Sequence, residues 1–306
     1  MKYDIVTILG PTATGKTALA ANIAHRLGGE IISADSRQIY RGMDIGTGKD
    51  LDEYEIDGEI VPFHLIDIAD AGSRYNLFEY QRDFTAVLAD LRSRGKLPVL
   101  CGGSGLYIEA ILDRYKMVEV PVNSALRKKL ENKDIGQLEK ILRSYPEHHM
   151  HNKTDLDTPQ RAIRAIEIAE YYSKHGGRDS SVPPLNPVII GIAIDRDTRR
   201  KRITDRLHAR LKEGMIDEVR GLLDSGIKPE DLIYYGLEYR YITLYLTGQM
   251  EYPDMVSSLE TAIHQFAKRQ MTWFRGMERR GFKIHWINGD KKLPERIEEA
   301  LAIIQG

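Results

Sequence analysis

The sequence contains little cysteine, little net charge and no long apolar run. Cys101 is the single cysteine among 306 residues, which excludes an internal disulfide and favours a buried structural thiol in a reducing compartment. No apolar run approaches the roughly 20 residues of a membrane-spanning helix, and the opening MKYDIVTILG lacks the apolar length of a secretion signal. Together these absences predict a cytoplasmic protein that makes no membrane contact.

The charges are nearly balanced, with 44 Lys and Arg against 45 Asp and Glu and a formal net charge of -1. Contact with nucleic acid must therefore come from local basic faces and not from the overall charge. A chain of 306 residues is long enough for one large α/β unit with an insertion or a second, smaller domain.

A phosphate-binding loop is the first motif. The segment Gly10–Thr17, GPTATGKT, matches the pattern G-x4-G-K-[ST]. It follows the apolar run Ile5–Leu9 and precedes an Ala- and Leu-rich stretch, which is the strand, loop and helix context that this ATP- and nucleotide-binding motif requires. Backbone N–H groups of such a loop surround phosphate oxygens at a helix N-terminus. Lys16 is expected to neutralise the terminal phosphate, and the Thr17 hydroxyl to bind Mg²⁺.

Apolar runs that alternate with helical patterns predict an α/β fold, in which a parallel P-loop sheet is flanked by helices. The expected strands are Asp4–Leu9, Glu30–Ala34, Phe63–Ile68, Leu97–Cys101, Val188–Ile194 and Lys283–Ile287. The expected helices of this part are Thr17–Leu27, Leu77–Arg92, Asp197–Glu213, Met215–Ser225, Leu237–Thr247, Asp254–Met277 and Pro294–Ile304.

The middle of the chain differs in texture. Residues from about 120 to 186 show charged helical patterns without strong strand signals and end in the linker-like SSVPPLNP. Because a buried-strand pattern then returns, the chain is expected to rejoin the first sheet. The prediction is a P-loop core over 1–119 and 188–306, with a mainly helical insertion over 120–187.

Polar residues at the ends of the predicted strands indicate a site. Asp35 follows the second strand, in ISADSRQIY, at the edge where the P-loop lies. A carboxylate there accepts a proton from a nucleophile in line with a bound phosphoryl or diphosphate group. An ordinary turn aspartate is the alternative. The glycine-rich GMDIGTGK, residues 42–49, is expected to contact substrate because it lies so close to Asp35 in sequence.

The strand ending at Cys101 leads into a second glycine-rich turn, where Ser104 offers a hydrogen-bond donor. An ordinary P-loop ATPase usually carries a Mg²⁺-contacting Asp at such a strand tip, and this strand has none. Asp67 is the candidate substitute. By their chemistry alone, these residues favour a small-molecule kinase, in which the loop binds ATP and Asp35 activates a hydroxyl.

Basic residues cluster on predicted helices. From Asp195 to Lys212 eight Lys and Arg face three Asp, usually the sign of a solvated face, although one or two arginines are expected in the phosphate site. On the long helix, one stripe is basic, and an opposite one is expected to face the core at Met255, Leu259, Ala262, Phe266 and Trp273. In the insertion, Thr158 and Pro159 read as a helix start that places Arg161 and Arg164 on one face, where RNA phosphates could bind.

Six segments occur in a familiar order: GPTATGKT, ADSRQIYRGMDIGTGK, HLIDI, GGSGLY, DTPQRAIRAIE and QFAKRQMTWFR. From about Ile8 to Arg275 the chain resembles the tRNA dimethylallyltransferases, also called tRNA isopentenyltransferases. The resemblance implies a transferase for tRNA modification, which moves the dimethylallyl group of dimethylallyl diphosphate to N6 of adenosine 37, 3′ to the anticodon. The products are N6-isopentenyladenosine and pyrophosphate. The implied cofactor is Mg²⁺, and the implied partners are the tRNA anticodon stem-loop and dimethylallyl diphosphate, bound by a monomer.

The resemblance also implies roles for individual residues, and it replaces ATP by a prenyl diphosphate in the loop, which accounts for the missing strand-tip aspartate. The implied diphosphate-binding residues are Gly10, Pro11, Thr12, Ala13, Thr14, Gly15, Lys16, Thr17, Arg202 and Arg206, with Thr17 also on the metal. The implied catalytic residues are Asp35 as the general base, Thr12 and Ser104. The implied tRNA-binding residues are Asp35, Ser36, Arg37, Gln38, Ser104, Arg127, Pro159, Gln160, Arg161, Arg164, Lys268 and Arg269.

Two positions depart from the family pattern. The family commonly has Gly-Gly-Thr where this chain has Gly-Gly-Ser, so Ser104 replaces a threonine and keeps its hydroxyl. Glu238 stands where a glycine is expected, which puts the local backbone geometry or the fit to RNA in doubt. Three alternatives stay open besides tRNA prenylation. They are an isopentenyltransferase acting on AMP, ADP or ATP, the small-molecule kinase, and an RNA-binding module that keeps its P-loop without catalysis.

Overall fold

The computed structural model describes residues 2–145, 156–175 and 180–306. The chain divides into two compact units. The core unit comprises Met1–Arg114 and Val182–Gly306, and the inserted unit comprises Tyr115–Ser181. The inserted unit therefore begins and ends a few residues before the range 120–187 expected from the sequence.

The described strands form one large sheet and two small ribbons. The strands are β1 (Ile5–Leu9), β2 (Glu30–Ser33), β3 (Tyr40–Arg41), β4 (Glu55–Ile56), β5 (Glu59–Ile60), β6 (Phe63–His64), β7 (Ala69–Asp70), β8 (Pro98–Gly102), β9 (Pro187–Ala193) and β10 (Ile284–Asn288). The large sheet has the order β10-β9-β1-β8-β2-β6, and every neighbouring pair in it is parallel. β3 pairs with β7 and β4 with β5.

Helices connect these strands. They are α1 (Lys16–Leu27), α2 (Leu77–Ser93), α3 (Gly105–Leu112), α4 (Ser124–Leu130), α5 (Ile135–Arg143), α6 (Pro159–His175), α7 (Arg196–Lys212), α8 (Met215–Asp224), α9 (Pro229–Tyr235), α10 (Leu237–Leu246), α11 (Tyr252–Arg279) and α12 (Leu293–Gln305), with a 3-10 helix at Leu51–Tyr54. No described helix combines the length and the apolar composition that a bilayer span requires.

The sheet is buried on both faces. On one face Val6 and Ile8 of β1 pack with residues of α1 and α12. On the other face Ile5 and Leu9 pack with residues of α2, α3 and α11. Burial on both faces removes the polar alternation of a half-exposed strand, and this is why the sequence shows continuous apolar runs. The predicted fold class, a parallel P-loop sheet flanked by helices, is confirmed.

The predicted core face of α11 is partly wrong. Met255 and Leu259 are buried as expected, but the stripe continues through Ile263, Ala267 and Phe274. Successive positions in this stripe are four or seven residues apart, which places them on one face of the helix. The expected Ala262, Phe266 and Trp273 lie one position away and are only half-buried. Helix α9 and the two small ribbons were not expected from the sequence.

The inserted unit has a core of its own. Leu130, Leu138 and Ile166, from α4, α5 and α6, are among the buried residues of this cluster. Helix α6 begins at Pro159, and the Arg161 N–H donates to the Thr158 hydroxyl at 3.3 Å, so the predicted helix start is confirmed. Residues 146–155 and 176–179 of the expected insertion lie outside the described residues.

Candidate active site

Three loops meet at the carboxyl edge of the large sheet. The P-loop follows β1, the Asp35 turn follows β2, and the Ser104 turn follows β8, which lies between these two strands. The Ala34 N–H donates to the Cys101 carbonyl at 2.7 Å, and the Ser36 N–H donates to the Ser104 hydroxyl at 3.0 Å. A parallel sheet puts all its strand ends on one edge, so residues distant in sequence become neighbours there.

The P-loop has the backbone of an anion-binding turn. Gly15 takes a φ of 72° at the N-cap of α1, a left-handed conformation that costs glycine little. The Thr14 hydroxyl donates to the Pro11 carbonyl at 2.9 Å, which closes the turn from inside. On its outer side Arg296 of α12 donates to the Thr14 carbonyl at 3.2 Å. The loop therefore directs carbonyls toward protein donors, while the N-terminus of α1 offers N–H groups to an anion.

Gln270 of α11 joins the P-loop to the neighbouring strand tip. Its side-chain carbonyl accepts the Thr12 N–H at 2.9 Å, and its amide donates to the Gly103 carbonyl, also at 2.9 Å. The side chain is 6% exposed, so both hydrogen bonds are shielded from water. Gln270 therefore links two loops of the site through one side chain.

An open cavity lies at this edge. Ten of the predicted site residues line it: Thr12, Ala13, Gly15, Lys16, Thr17, Asp35, Ser36, Arg37, Gln38 and Arg206. The other lining residues are Gly46, Thr47, Gly48, Asp50, Glu53, Arg210, Leu237, Glu238, Ile263, Phe266 and Gln270. Phosphate-binding groups and the candidate base therefore share one space.

Other predicted residues of the core unit are not among the lining residues. Gly10, Pro11 and Thr14 form the inner part of the P-loop, and Thr14 is 1% exposed. Ser104 binds the backbone N–H and the hydroxyl of Ser36, so it holds the Asp35 turn. The structure gives Ser104 a positioning contact, and serine supplies the hydroxyl that this contact needs.

Arg202 and Arg206 occupy different surroundings although they are one turn apart on α7. The Arg202 guanidinium donates to the Gly289 carbonyl at 3.2 Å and pairs with Asp290 at 3.1 Å, away from the cavity lining. Arg206 lines the cavity. Of the two arginines expected on the diphosphate, the geometry favours Arg206. Lys268 and Arg269 are exposed on α11 outside the lining, and the Arg269 guanidinium lies 6.0 Å from the Phe266 ring centroid.

The Asp35 turn is held by hydrogen bonds to its own backbone and to the loop at residues 42–49. The Arg37 N–H donates to an Asp35 carboxylate oxygen at 3.1 Å. Gln38 donates from its amide to the Gly48 carbonyl at 2.9 Å. Asp35 itself lines the cavity, which is the position that a general base for a bound substrate requires.

Glu218 of α8 and the buried Lys49 hold the loop at residues 42–49 in place. The Glu218 carboxylate of α8 accepts three backbone N–H groups of this loop, at 2.8, 2.7 and 3.1 Å. Lys49 is 1% exposed and binds the Tyr40 carbonyl at 2.8 Å, with Asp44 and Asp67 as ionic partners. Asp67, the candidate strand-tip substitute, therefore neutralises Lys49 and is not among the lining residues. Gly46, Thr47 and Gly48 do reach the cavity.

Glu238, at the expected glycine, does not need an unusual backbone. The positive φ values fall on Gly236 and Leu237, at 75° and 41°, and Glu238 lies in the first turn of α10. Its carboxylate is 3.4 Å from the Arg37 guanidinium. Burial raises the pKa of Glu238, and the Arg37 charge opposes this rise. The departure therefore changes the charge of the cavity wall.

In the inserted unit two predicted RNA-binding arginines share a buried partner. Arg127 donates to both Glu167 carboxylate oxygens, at 3.0 and 2.9 Å, and Arg164 pairs with the same group. Burial alone would raise the pKa of Glu167, but hydrogen bonds from Arg127, Arg164 and the Asn123 N–H outweigh it and lower the pKa to about 2. The two guanidinium groups retain one net positive charge.

The remaining predicted residues of this unit lie at the start of α6. Pro159 and Gln160 are exposed, and Arg161 pairs with Asp157 at 3.2 Å on the surface. An exposed pair of this kind is weak, so Arg161 is readily available to another anion.

Glu167→Gln is expected to destabilise the inserted unit by about 2 kcal/mol at pH 7, after allowance for the solvent around both arginines. Because the folded pKa lies below the ordinary 4.5, the stabilisation is present above pH 4.5 and is lost as the pH falls toward 2. Hydrogen exchange of the α4 and α6 amides measures this in the full chain. The control is Glu139→Gln, which removes the exposed pair with Arg143 of α5. Equal protection in both variants would contradict the role of Glu167.

Sequence patterns of known families decide the relationship. The pattern of the IPP transferase family matches residues 38–277, and the isopentenyl transferase pattern matches residues 3–59. The chain belongs to the IPP transferase family. The first match includes the Asp35 turn from Gln38 onward and most of α11, and the second includes the P-loop.

Individual relatives agree with this family. The chain is 61% identical over 299 residues to tRNA dimethylallyltransferase 1 of Porphyromonas gingivalis, with 98% of each chain covered. It is 59% identical over 302 residues to tRNA dimethylallyltransferase 1 of Parabacteroides distasonis, covering 99% of this chain and 98% of the relative. The crystal structure of the tRNA isopentenylpyrophosphate transferase from Bacillus halodurans matches with a TM-score of 0.72 at 33% identity, over 100% of this chain and 96% of that one. The resemblance indicated by the motifs is confirmed.

The donor set of the cavity fits a divalent cation of the kind that an IPP transferase would use with a diphosphate. Thr17 and Glu53 both line the cavity, and their hydroxyl and carboxyl groups are hard oxygen donors. Burial raises the pKa of Glu53, with Asp50 adding to the rise, so a nearby cation would favour its charged form. Mg²⁺ is commonly held by one or two protein groups together with substrate phosphates, and these residues satisfy that requirement.

Cys101 behaves as a structural thiol. The residue is 5% exposed, and its sulfur lies 3.8 Å from the Lys16 carbonyl. Burial raises the pKa of the thiol to about 12, so the reactive thiolate is scarce near neutral pH.

Sequence reasoning missed three lining residues with ionisable side chains: Asp50, Glu53 and Arg210. One signal was present for Arg210, because it follows Arg206 by four residues and shares its helix face. Asp50 and Glu53 follow the glycine-rich loop directly, but no spacing rule connected them to the P-loop.

Proposed function

We propose that this IPP transferase moves the dimethylallyl group of dimethylallyl diphosphate to N6 of the adenosine 3′ to the anticodon of tRNA. One observation carries the proposal: Lys16 of the P-loop and the Asp35 carboxylate line the same cavity. The high identity to proteins named tRNA dimethylallyltransferase, over nearly the full chain, supports the choice of donor and acceptor.

The diphosphate of the donor binds at the N-terminus of α1. N–H groups of the Gly10–Thr17 loop, the Lys16 ammonium and the Arg206 guanidinium supply positive charge there. The allylic C–O bond breaks and pyrophosphate leaves, so negative charge grows on the diphosphate oxygens during the reaction. Groups that are already positioned stabilise this charge more than they stabilise the substrate, which lowers the barrier.

The metal would be held by the Thr17 hydroxyl, and Glu53 lines the same cavity. When bound, Mg²⁺ adds positive charge at the departing pyrophosphate. Removal of the metal with a chelator is accordingly part of the test described below.

Asp35 acts as the general base. The adenine N6 lone pair is delocalised into the ring, so this amine is a weak nucleophile that needs close positioning and proton removal. As the new N–C bond forms, the N6 proton passes to the Asp35 carboxylate. Ser36, Arg37 and Gln38 of the same turn contact the target base, which must leave the anticodon-loop stack to reach the allylic carbon.

The inserted unit binds the anticodon stem-loop. The start of α6, with Pro159, Gln160 and Arg161, offers exposed polar groups and N–H donors to backbone phosphates. Arg127 and Arg164 add one net charge beside Glu167. On the core unit, Lys268 and Arg269 are exposed and offer further local positive charge to RNA, which a chain of net charge -1 needs. We propose that the enzyme works on tRNA as a single chain in the cytoplasm.

Transfer of label from dimethylallyl diphosphate tests this function. The acceptors are an unmodified anticodon stem-loop with adenosine 3′ to its anticodon and, in parallel, AMP. The same stem-loop with guanosine in place of that adenosine is the matched control. Label on the adenosine stem-loop alone, lost when the metal is chelated, is the expected result.

Other outcomes of the same assay are equally informative. Label on AMP would identify a nucleotide prenyltransferase, and label on no acceptor would contradict prenyl transfer. In that case hydrolysis of ATP and phosphoryl transfer to small hydroxyl compounds test the kinase alternative. RNA binding that persists without any product would indicate a non-catalytic RNA-binding module.

A further inference from the structure

Two guanidinium groups share one carboxylate inside the cavity. Arg206 and Arg210 are one turn apart on α7, and both pair with Asp50. The Arg210 Nη2 atom lies 3.0 and 3.3 Å from the two Asp50 oxygens, and Arg206 pairs with one of them. All three residues line the same cavity as Lys16 and Thr17. We call Arg206 and Arg210 the arginine pair.

Asp50 alone does not neutralise the arginine pair. Two guanidinium groups against one carboxylate leave one net positive charge, and the Arg210 side chain is only 11% exposed. Burial lowers the pKa of Arg206 and the Arg210 charge lowers it further, against the opposing effect of the Asp50, Glu53 and Glu238 carboxyl groups. Holding two like charges together away from water costs free energy unless an anion lies between them. A second anion at this place would therefore be bound favourably.

The chain at residues 48–50 permits this close approach. Gly48 has a φ of 65°, and a Cβ atom there would lie 2.1 Å from the Arg210 Nη2 atom and 2.7 Å from that of Arg206. A side chain at this position would force the ends of both arginine side chains to shift. Asp50 has a φ of 43°, also left-handed, at the start of the 3-10 helix. The arginine pair and its carboxylate are thus fitted to one another.

We propose that Arg210 binds the diphosphate together with Arg206, and that Asp50 occupies the arginine pair until the diphosphate displaces it. The proposal rests on the proposed prenyl transfer. Guanidinium forks match phosphate oxygens as well as carboxylate oxygens, and a diphosphate carries more charge than one carboxylate. Asp50 therefore keeps the arginine pair in place without substrate and yields to the stronger anion when it arrives.

The test is a calorimetric titration of the full chain with inorganic pyrophosphate in the presence of Mg²⁺, which measures the Kd for pyrophosphate. Arg210→Met removes one cation, and the Kd for pyrophosphate is expected to rise about tenfold, as for one charged hydrogen bond. Arg210→Lys keeps the positive charge without the forked guanidinium, so its Kd for pyrophosphate should lie between those of the wild type and Arg210→Met. Asp50→Asn removes the competing anion, so the Kd is expected to fall about threefold. In turnover, Arg210→Met should raise KM for dimethylallyl diphosphate and leave KM for the stem-loop unchanged.

The opposite signs separate ligand binding from damage to the fold, because damage would weaken binding in both variants. Arg200→Met, an exposed change on the same helix, and Asp52→Asn, an exposed change beside Asp50, are the controls. An unchanged Kd in Arg210→Met, or weaker binding in Asp50→Asn, would overturn the proposal. Pyrophosphate binding is measured without tRNA, so a wild-type chain that transfers no prenyl group would contradict the proposed function and still leave this result readable.

Discussion

Asp35→Asn is expected to lower prenyl transfer to tRNA by about 10³-fold and to leave pyrophosphate binding nearly unchanged. Asparagine keeps the carbonyl oxygen that accepts the Arg37 N–H at 3.1 Å, so the turn after β2 should hold its shape. What disappears is the ability to take the proton of the N6 amine as the N–C bond forms. The loss should therefore appear in kcat, while KM for both substrates changes little.

Single-turnover labelling of the anticodon stem-loop measures this rate, and calorimetry with pyrophosphate measures binding in the same preparation. Asp52→Asn is the matched control, because it removes one exposed carboxylate in the same region outside the cavity lining. Turnover in Asp35→Asn within a few fold of wild type would rule out Asp35 as the general base. A loss of pyrophosphate binding as well would instead mean that Asp35 supports the P-loop.

The core elements were readable from the sequence because their signals are local. Strands such as β1 and β9 are buried on both faces, so each appears as an unbroken apolar run. The P-loop is a contiguous motif, and its chemistry follows from the glycines, Lys16 and Thr17 alone. The meeting of the P-loop with Asp35 also followed, because parallel strands end on one edge.

The charged wall of the cavity was not readable, because it is assembled from distant segments. Asp50 meets Arg210 across 160 positions and Gln270 meets Thr12 across 258, and no local periodicity encodes such pairs. Eight basic residues crowd the α7 segment, and spacing alone did not show which turn inward. Arg202 turns to Asp290, whereas Arg206 faces the cavity, since each next turn of the helix meets a different neighbour. A residue's role on such a helix is fixed by what packs opposite it.

The same reasoning applies to Glu238. The sequence could register that a carboxylate replaces an expected glycine, and backbone strain was one concern. In the structure the positive φ angles fall on Gly236 and Leu237 and not on Glu238, and the Glu238 carboxyl lies beside Arg37 of the Asp35 turn. The consequence is electrostatic, and it depends on a partner 201 residues away in the chain.

Lys16→Ala is expected to weaken both diphosphate binding and transfer, with the Kd for pyrophosphate raised about 100-fold and turnover lowered at least as much. Among the described residues the Lys16 ammonium has no ionic or hydrogen-bonded partner, so its removal should leave the melting temperature unchanged. The whole effect should then fall on the anion, because the arginine pair and the loop N–H groups alone cannot replace a charge at the N-terminus of α1. Calorimetry with pyrophosphate and labelling of the stem-loop measure the two losses, with exposed Lys96→Ala at the opposite edge of the sheet as the control. Normal pyrophosphate affinity in Lys16→Ala would remove the P-loop from the diphosphate site and leave the arginine pair as its main anchor.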